Sequence, residues 1–288
     1  MSLRSKRLCR LGMIIGGLIG VAGPGAGQSE PAASRPTTAP AATQARLDPE
    51  IEEVLNRLEN RDVQDLHARL AWRQEYITDL EEDWVTKRGE IWYQKAEPVA
   101  KFLIHFNEKL TGTRRDKLDE RHLFDGCWYV ELDSRTRTVQ RREVRRPNDP
   151  GNPYKVGEGV FPLPFGQKKE DILREFELQK LPPASDDPPT TDHLRLWPRE
   201  GTKTGQSYKQ LDFWISREGP TAGLPVKVRV AKLDGTGKIN SHITITFSDA
   251  ELNRGFSGSI FEIKTPPGYT EAEPERLEPI PLPAADTQ

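Results

Sequence analysis

The chain has 288 residues, 30% of them charged and 35% hydrophobic, with a formal net charge of -2. Its mean hydropathy is -0.70. This balance gives no global attraction for nucleic acid or anionic membrane. It suits one soluble globular domain with disordered additions, since single domains usually hold roughly 100–200 residues.

Residues 1–10, MSLRSKRLCR, are basic, residues 11–22, LGMIIGGLIGVA, are apolar, and the small residues GPGAGQ follow. That is the order of a secretory signal peptide. The apolar run is shorter than the roughly 20 residues needed to span a bilayer. A signal peptide over 1–27, cleaved after Gly27, is therefore expected, and with it export. Cys9 leaves with that segment, so Cys127 remains without an internal disulfide partner. Residues 28–47, rich in Ala, Pro and Thr, cannot bury a core and are expected to form a disordered spacer.

The folded unit is expected over 48–270. It opens with a helix: Asp48 caps, Pro49 suits the first helical position, and Glu50 favours the positive end. Ile51, Val54, Leu55 and Leu58 then form an apolar stripe, and Asn60 and Arg61 end it. The LHARLAWR stretch, 66–73, alternates as a strand does, although a helix continuing from the first also fits. Shorter helices are expected at 168–178, KKEDILREFEL, and at 113–123, TRRDKLDERHL.

Most of the rest alternates with period two, the mark of strands with one apolar face. The apolar positions are Phe102, Ile104 and Phe106; Trp128, Val130 and Leu132; Leu211, Phe213 and Ile215; Val226, Val228 and Val230; Ile243, Ile245 and Phe247. Asp125-Gly126 reads as a two-residue type I′ hairpin turn, and Asp234-Gly235-Thr236-Gly237 as another hairpin connection. The expected fold is mainly β, a meander of antiparallel strands whose apolar face needs a helical cover or must curl on itself. From Pro266 onward the sequence is Pro-rich and acidic, and 271–288 is expected to be a disordered tail.

The sequence carries no recognisable catalytic constellation. His67, His105, His122, His193 and His242 do not stand at metal-ligand spacing, and no HExxH or Cys/His zinc pattern exists. GFSGS at 255–259 has the wrong spacing for a hydrolase elbow and reads as a loop; GTGK at 235–238 lacks the rest of a phosphate loop. The basic run 135–146, RTRTVQRREVRR, has no interleaved aromatics and reads as solvated strand or loop. No catalytic residue, metal or cofactor is assigned. Composition by itself favours an ordinary core over a ligand pocket.

The stretch 211–269 resembles the outer-membrane lipoprotein carrier (LolA-like) family. The matching features are Trp214-Ile215-Ser216 as the corner of a strand, the Gly223-Leu224-Pro225 turn, Asn253 in a loop, and Phe261 with Pro266-Pro267-Gly268. Earlier, GEIWYQKAEP (89–98) is similar to the family's Gly-x-x-Trp strand. LFDGCWYVEL (123–132) is similar to its Asp-Gly hairpin, and DHLRLWP (192–198) to its strand ending in Pro. The ordered set covers roughly 60–270.

The resemblance implies an unclosed antiparallel β-barrel, a curved sheet with a small α-helical lid over its apolar face. It further implies a periplasmic carrier, not an enzyme. The cargo would be the acyl chains of a lipoprotein or another lipid. An inner-membrane ABC transporter would be the donor and an outer-membrane protein the acceptor. The carrier would be a monomer with no nucleic-acid partner. The expected lipid-binding residues are Trp92, Phe102, Ile104, Phe106, Trp128, Val130, Leu132, Phe213, Ile215, Val228, Val230, Ile245 and Phe247. Period two fixes this set but not which face is concave. The family's Arg-Pro latch between barrel and lid corresponds here to Lys95, followed by Ala96, with Pro98 beyond it; insertions at 147–164 and 182–189 depart from the family. Two rivals stay open. One is a lipid-sensing regulatory or scaffold protein of the same fold, using 135–146 for a partner. The other is an exported enzyme, which predicts a polar cluster inside the groove that the alternation does not show, and which His105 or His122 beside a carboxylate in a cleft would favour.

Overall fold

The computed structural model describes residues 47–77, 84–96, 99–146 and 168–277. The expected signal peptide, the spacer up to residue 46, the insertion at 147–164 and the last residues of the tail lie outside the described residues, as does Pro98.

The domain opens with α1 (Pro49–Asn60), where the Asp48 carboxylate accepts from the Glu50 N–H at 2.8 Å. Six strands follow as a meander: β1 (Asp65–Tyr76), β2 (Trp84–Gln94), β3 (Lys101–Thr111), β4 (Arg114–Phe124), β5 (Trp128–Asp133) and β6 (Thr138–Glu143). The short helix α2 (Lys169–Glu175) leads into a second meander. This comprises β7 (Phe176–Leu181), β8 (Thr191–Pro198), the one-turn helix α3 (Lys203–Ser207), β9 (Tyr208–Ser216), β10 (Pro225–Leu233) and β11 (Ile239–Leu252). A 3-10 turn at Gly258–Phe261 and the two-residue β12 (Thr270–Glu271) close the described chain.

The strands form one sheet in the order β12-β6-β5-β4-β3-β2-β1-β11-β10-β9-β8-β7. The first strand of one meander pairs with the last strand of the other, from Leu66↔Leu252 to Tyr76↔Ser241. All pairings are antiparallel except β12 with β6. The fold is thus mainly β, a curved sheet not closed into a barrel, with short helices.

Three local expectations change. The segment 113–123 is a strand and not a helix, because Gly112, at φ 55°, turns the chain back and Arg114 to Phe124 pair along β3. At 168–178 the helix stops at Glu175, and Phe176 and Leu178 join a strand against Pro198 and Leu196. The Asp125-Gly126 connection is not type I′, since only Gly126 has positive φ. Instead the Asp125 carboxylate accepts the N–H groups of Cys127 (2.9 Å) and Trp128 (2.8 Å), closing the hairpin as an Asx-type turn.

Part of the expected tail is ordered. Residues 271–277 are held on the edge of β6 by backbone bonds such as Ala272 N–H to Val139 O (3.0 Å) and Glu275 N–H to Arg141 O (2.9 Å). Charge explains it: Arg141 pairs with Glu271 at 2.6 Å and Arg142 with Glu275 at 2.7 Å.

Candidate functional site

The inner face of the sheet is the one that carries α1. On it Ile51, Val54, Leu55 and Leu58 pack against Ile172, Phe176, Leu194, Leu196, Leu211, Phe213, Ile215, Val228 and Val230. Side chains directly opposed across a ladder lie on the same face. Val228, Ile245 and Trp72 are opposed in sequence, which carries the inner face from β10 to β1. Leu66, Tyr93, Phe102, Phe124 and Tyr129 carry it on to β5. A second apolar cluster there holds Leu66, Leu70, Ile91, Tyr93, Phe102, Ile104, Phe106 and Ile245, with Phe247 at its margin.

Of the expected lining residues, Phe102, Ile104, Phe106, Phe213, Ile215, Val228, Val230, Ile245 and Phe247 share this inner face. Trp92, Trp128, Val130 and Leu132 do not. They lie on the outer face, in a third cluster with Leu103, Leu123, Val139, Phe261 and Ile263. The reason is that β2 to β6 are buried on both sides. The segment after β11, through Phe256, Ile260, Phe261 and Ile263, packs over their outer face. The same strands place Ile91, Tyr93 and Tyr129 on the inner face instead. The runs IWY and CWYV carried the signal, since continuous apolar runs mark strands buried on both faces.

The inner face is filled. Ile104, Ile215 and Leu211 are fully buried. A cavity of about 170 Å³ opens beside Leu66, Ala68, Leu224 and Phe247. Another of about 330 Å³ lies between the start of α1 and the β7–β8 hairpin.

What holds α1 down is partly legible. Lys95 pairs with Asp62, just past α1, at 3.3 Å, and its N–H bonds to the Gln64 carbonyl at 2.7 Å. Both side chains are exposed, so this pair contributes little beyond placement. A stronger tie runs through Arg57. Arg57 on α1 donates to buried Asp192 on β8, whose other oxygen lies 3.4 Å from Lys180; Lys180 also holds Glu50 at 2.9 Å. Lys169 adds a bond to Glu52 at 2.6 Å. No sequence spacing links Arg57 with Asp192, which sit 135 residues apart. Gly223, at φ 81°, completes the seat: a Cβ there would stand 2.8 Å from the Arg57 carbonyl oxygen. The Gly223-Leu224-Pro225 turn therefore approaches the last turn of α1 and buries Leu224 in the core.

One polar cluster interrupts the inner face. Lys87 bonds Glu120 at 2.5 and 2.8 Å, and His122 Nε2 lies 2.8 Å from the same carboxylate. His122 Nδ1 lies 2.7 Å from the Tyr129 hydroxyl. The Lys87 ammonium also stands 5.5 Å from the centres of the Trp72 and Phe106 rings. Burial pushes the Glu120 carboxyl up, but the His122 hydrogen bond and the Lys87 charge outweigh it and hold its pKa at about 2. Burial pushes the Tyr129 hydroxyl far above its usual value. The network satisfies groups that would otherwise be costly to bury.

This depression has a sign. A carboxyl whose folded pKa lies below its unfolded value stabilises the fold above about pH 4.5, and that contribution is lost as pH falls toward 2. The shift amounts to roughly 3 kcal/mol. Chemical denaturation between pH 6 and 2.5 is expected to show it (roughly the span of that titration), with Glu120→Gln flattening the acid limb. An equally steep limb in the variant would assign the loss to other carboxylates.

His122 thus stands beside Glu120, and His105 beside Asp119 at 2.9 Å, but neither histidine lines either cavity. Burial, with Asp125 and Glu143, raises the Cys127 thiol pKa, which keeps it protonated.

No protein-family model matches the chain, and no curated protein matches it. Solved structures do. A DUF1329 family protein from Desulfovibrio piger matches with TM-score 0.39 and 14% identity, over 73% of this chain and 95% of that one. An uncharacterized conserved protein from Thermus thermophilus matches with TM-score 0.43 and 10% identity, over 79% and 99%. A LolA superfamily protein from Nitrosomonas europaea matches with TM-score 0.36 and 14% identity, over 74% and 97%. At these scores the likenesses carry no weight on function.

Proposed function

We propose that the protein is a periplasmic carrier that binds acyl chains on its inner sheet face, and that the structure is its closed form. The observation that supports this most is the way α1 closes the apolar face of β7 to β10. One helix of 12 residues buries four apolar side chains there and is tied at its rim by ion pairs.

The energies are matched. Burying Ile51, Val54, Leu55 and Leu58 is worth roughly 1.5–3 kcal/mol each, so on the order of 10 kcal/mol together. An acyl chain gains about 0.8 kcal/mol per CH₂ buried, again on the order of 10 kcal/mol for one long chain. Lifting α1 and seating a chain therefore exchanges terms of similar size, and a small bias decides which is bound. A carrier that must both take up and release its cargo needs that near-balance. No covalent step is required. A donor at the inner membrane and an acceptor at the outer membrane would supply the bias in each direction.

The sensor or scaffold reading draws less support from the basic run than its six arginines suggest. Arg141 and Arg142, in the basic run, are bound by Glu271 and Glu275 of the chain's own tail.

Native mass spectrometry of protein purified from its own cell envelope tests the carrier reading. Acylated species are expected to co-purify, and a fluorescent acyl probe is expected to bind. Recovery of no acylated species, together with no probe binding, would sink it.

A further inference from the structure

The cavity of about 330 Å³ at the N-terminal end of α1 is unlike the rest of the inner face. It is lined by Glu50 of α1, Lys180 of β7, Asp192 of β8 and Arg217 beyond β9, with Leu181 and Pro182 as apolar wall. Its size is at the lower end of small-ligand clefts, enough for one head group. The charges do not balance. Asp192 is shared by Arg57 and Lys180, and Glu50 is held by Lys180. Arg217 is left over: it is exposed, and its guanidinium has no hydrogen bond or ion pair with any described residue. Its backbone is fixed, however, by an N–H bond to the Thr190 carbonyl at 2.8 Å. Arg57 does not line the cavity but takes up Asp192 from α1, so Lys180 is shared between two partly neutralised acids and Arg217 has none among the described residues; its forked donor is suited to carboxylate or phosphate.

We propose that this cavity is an anion subsite, in which Arg217 and Lys180 together take the carboxylate or phosphate head of an amphiphile whose tail enters beneath α1. The assignment of the tail rests on the carrier reading above; the anion subsite does not.

The subsite is also coupled to the helix. An anion that takes up Lys180 competes with Glu50 for the same ammonium, and so removes the tie at the start of α1. The hydrogen bond to Glu50, more than Asp192, holds the Lys180 pKa above its usual value. Lys180 therefore stays charged for either partner. Head-group binding and helix release become one event, and a neutral amphiphile lacks that lever.

Laurate and dodecanol share a tail and differ in the head, so isothermal titration of both into the full chain isolates the subsite. The native protein is expected to bind laurate about tenfold more tightly than dodecanol, a charge-assisted bond being worth about 1.5 kcal/mol or more. Arg217→Ala is expected to remove most of that difference by weakening laurate alone. Arg217 is exposed, so circular dichroism of the variant should match the native protein. Equal affinity for laurate and dodecanol in the native protein, or an undiminished preference in Arg217→Ala, overturns the subsite. Inorganic phosphate is the third arm. If neither amphiphile binds but phosphate binds the native protein and not the variant, the subsite stands and the carrier reading falls. If no probe binds, both fall.

Discussion

Gly89→Ala is expected to be the most damaging single-methyl change in the described chain. A Cβ at Gly89 would stand 1.9 Å from the His105 carbonyl oxygen and 2.7 Å from the Phe106 Cα. Both are backbone of the neighbouring strand, so no rotamer change relieves the clash. The site is a bulge: the β2–β3 register shifts between Arg88 and Gly89. Bulges bend a strand and increase its twist, and here the two strands close up against each other at the bend. Overpacking in cores costs about 1–3 kcal/mol and occasionally more. A backbone clash at a bend of the sheet belongs at or above the top of that range. Denaturant titration should show the midpoint falling sharply, while Gly235→Ala, with nothing within 4 Å of its added methyl, is a matched control. A change below about 0.5 kcal/mol, typical of neutral surface sites, would mean that the strands part easily there.

Asp192→Ala is expected to loosen α1 without disturbing the sheet. Asp192 is 5% exposed and serves both Arg57 and Lys180. Removing one partner of a buried pair costs about 3–5 kcal/mol when the charge left behind has no escape. Arg57 and Lys180 are each about a third exposed, so water recovers part of this, and about 2 kcal/mol is the better expectation. Hydrogen exchange localises the effect. Amides of α1 should exchange at least tenfold faster, tenfold corresponding to about 1.4 kcal/mol, while β3 and β4 stay protected. The carrier reading adds a second readout, faster uptake of an acyl probe. Unchanged exchange in α1 would remove Asp192 from the latch.

Much of the fold was legible because its signals are local. The cap at Asp48 and the stripe from Ile51 to Leu58 specify α1 without outside help. The alternating runs at 102–106, 211–215 and 243–247 lie along strands with one face on the main core. The errors fall where a distant segment decides. Trp128, Val130 and Leu132 alternate as well as any inner residue, yet Phe261 and Ile263 claim them for the outer face. Alternation records that one face is apolar, not what meets it. The same holds for the site. Arg57 and Asp192 are each ordinary polar residues in sequence; only the pairing of β8 with β9 under α1 makes them a latch. Lys95 was found through a motif and does tie the segment after α1, but in solvent, where an ion pair is weak.

The strand order sets a timetable for assembly. The first meander closes by neighbouring hairpins, and so does the second, but β1 cannot pair with β11 until nearly the whole domain exists. Helix α1 waits longer still than its place in the chain suggests. It emerges first, yet its seat is built from β7 to β10, the half synthesised last. Contacts so distant in sequence form late and leave apolar surface open meanwhile. Helix α1 therefore has no seat until the second half of the domain has been made.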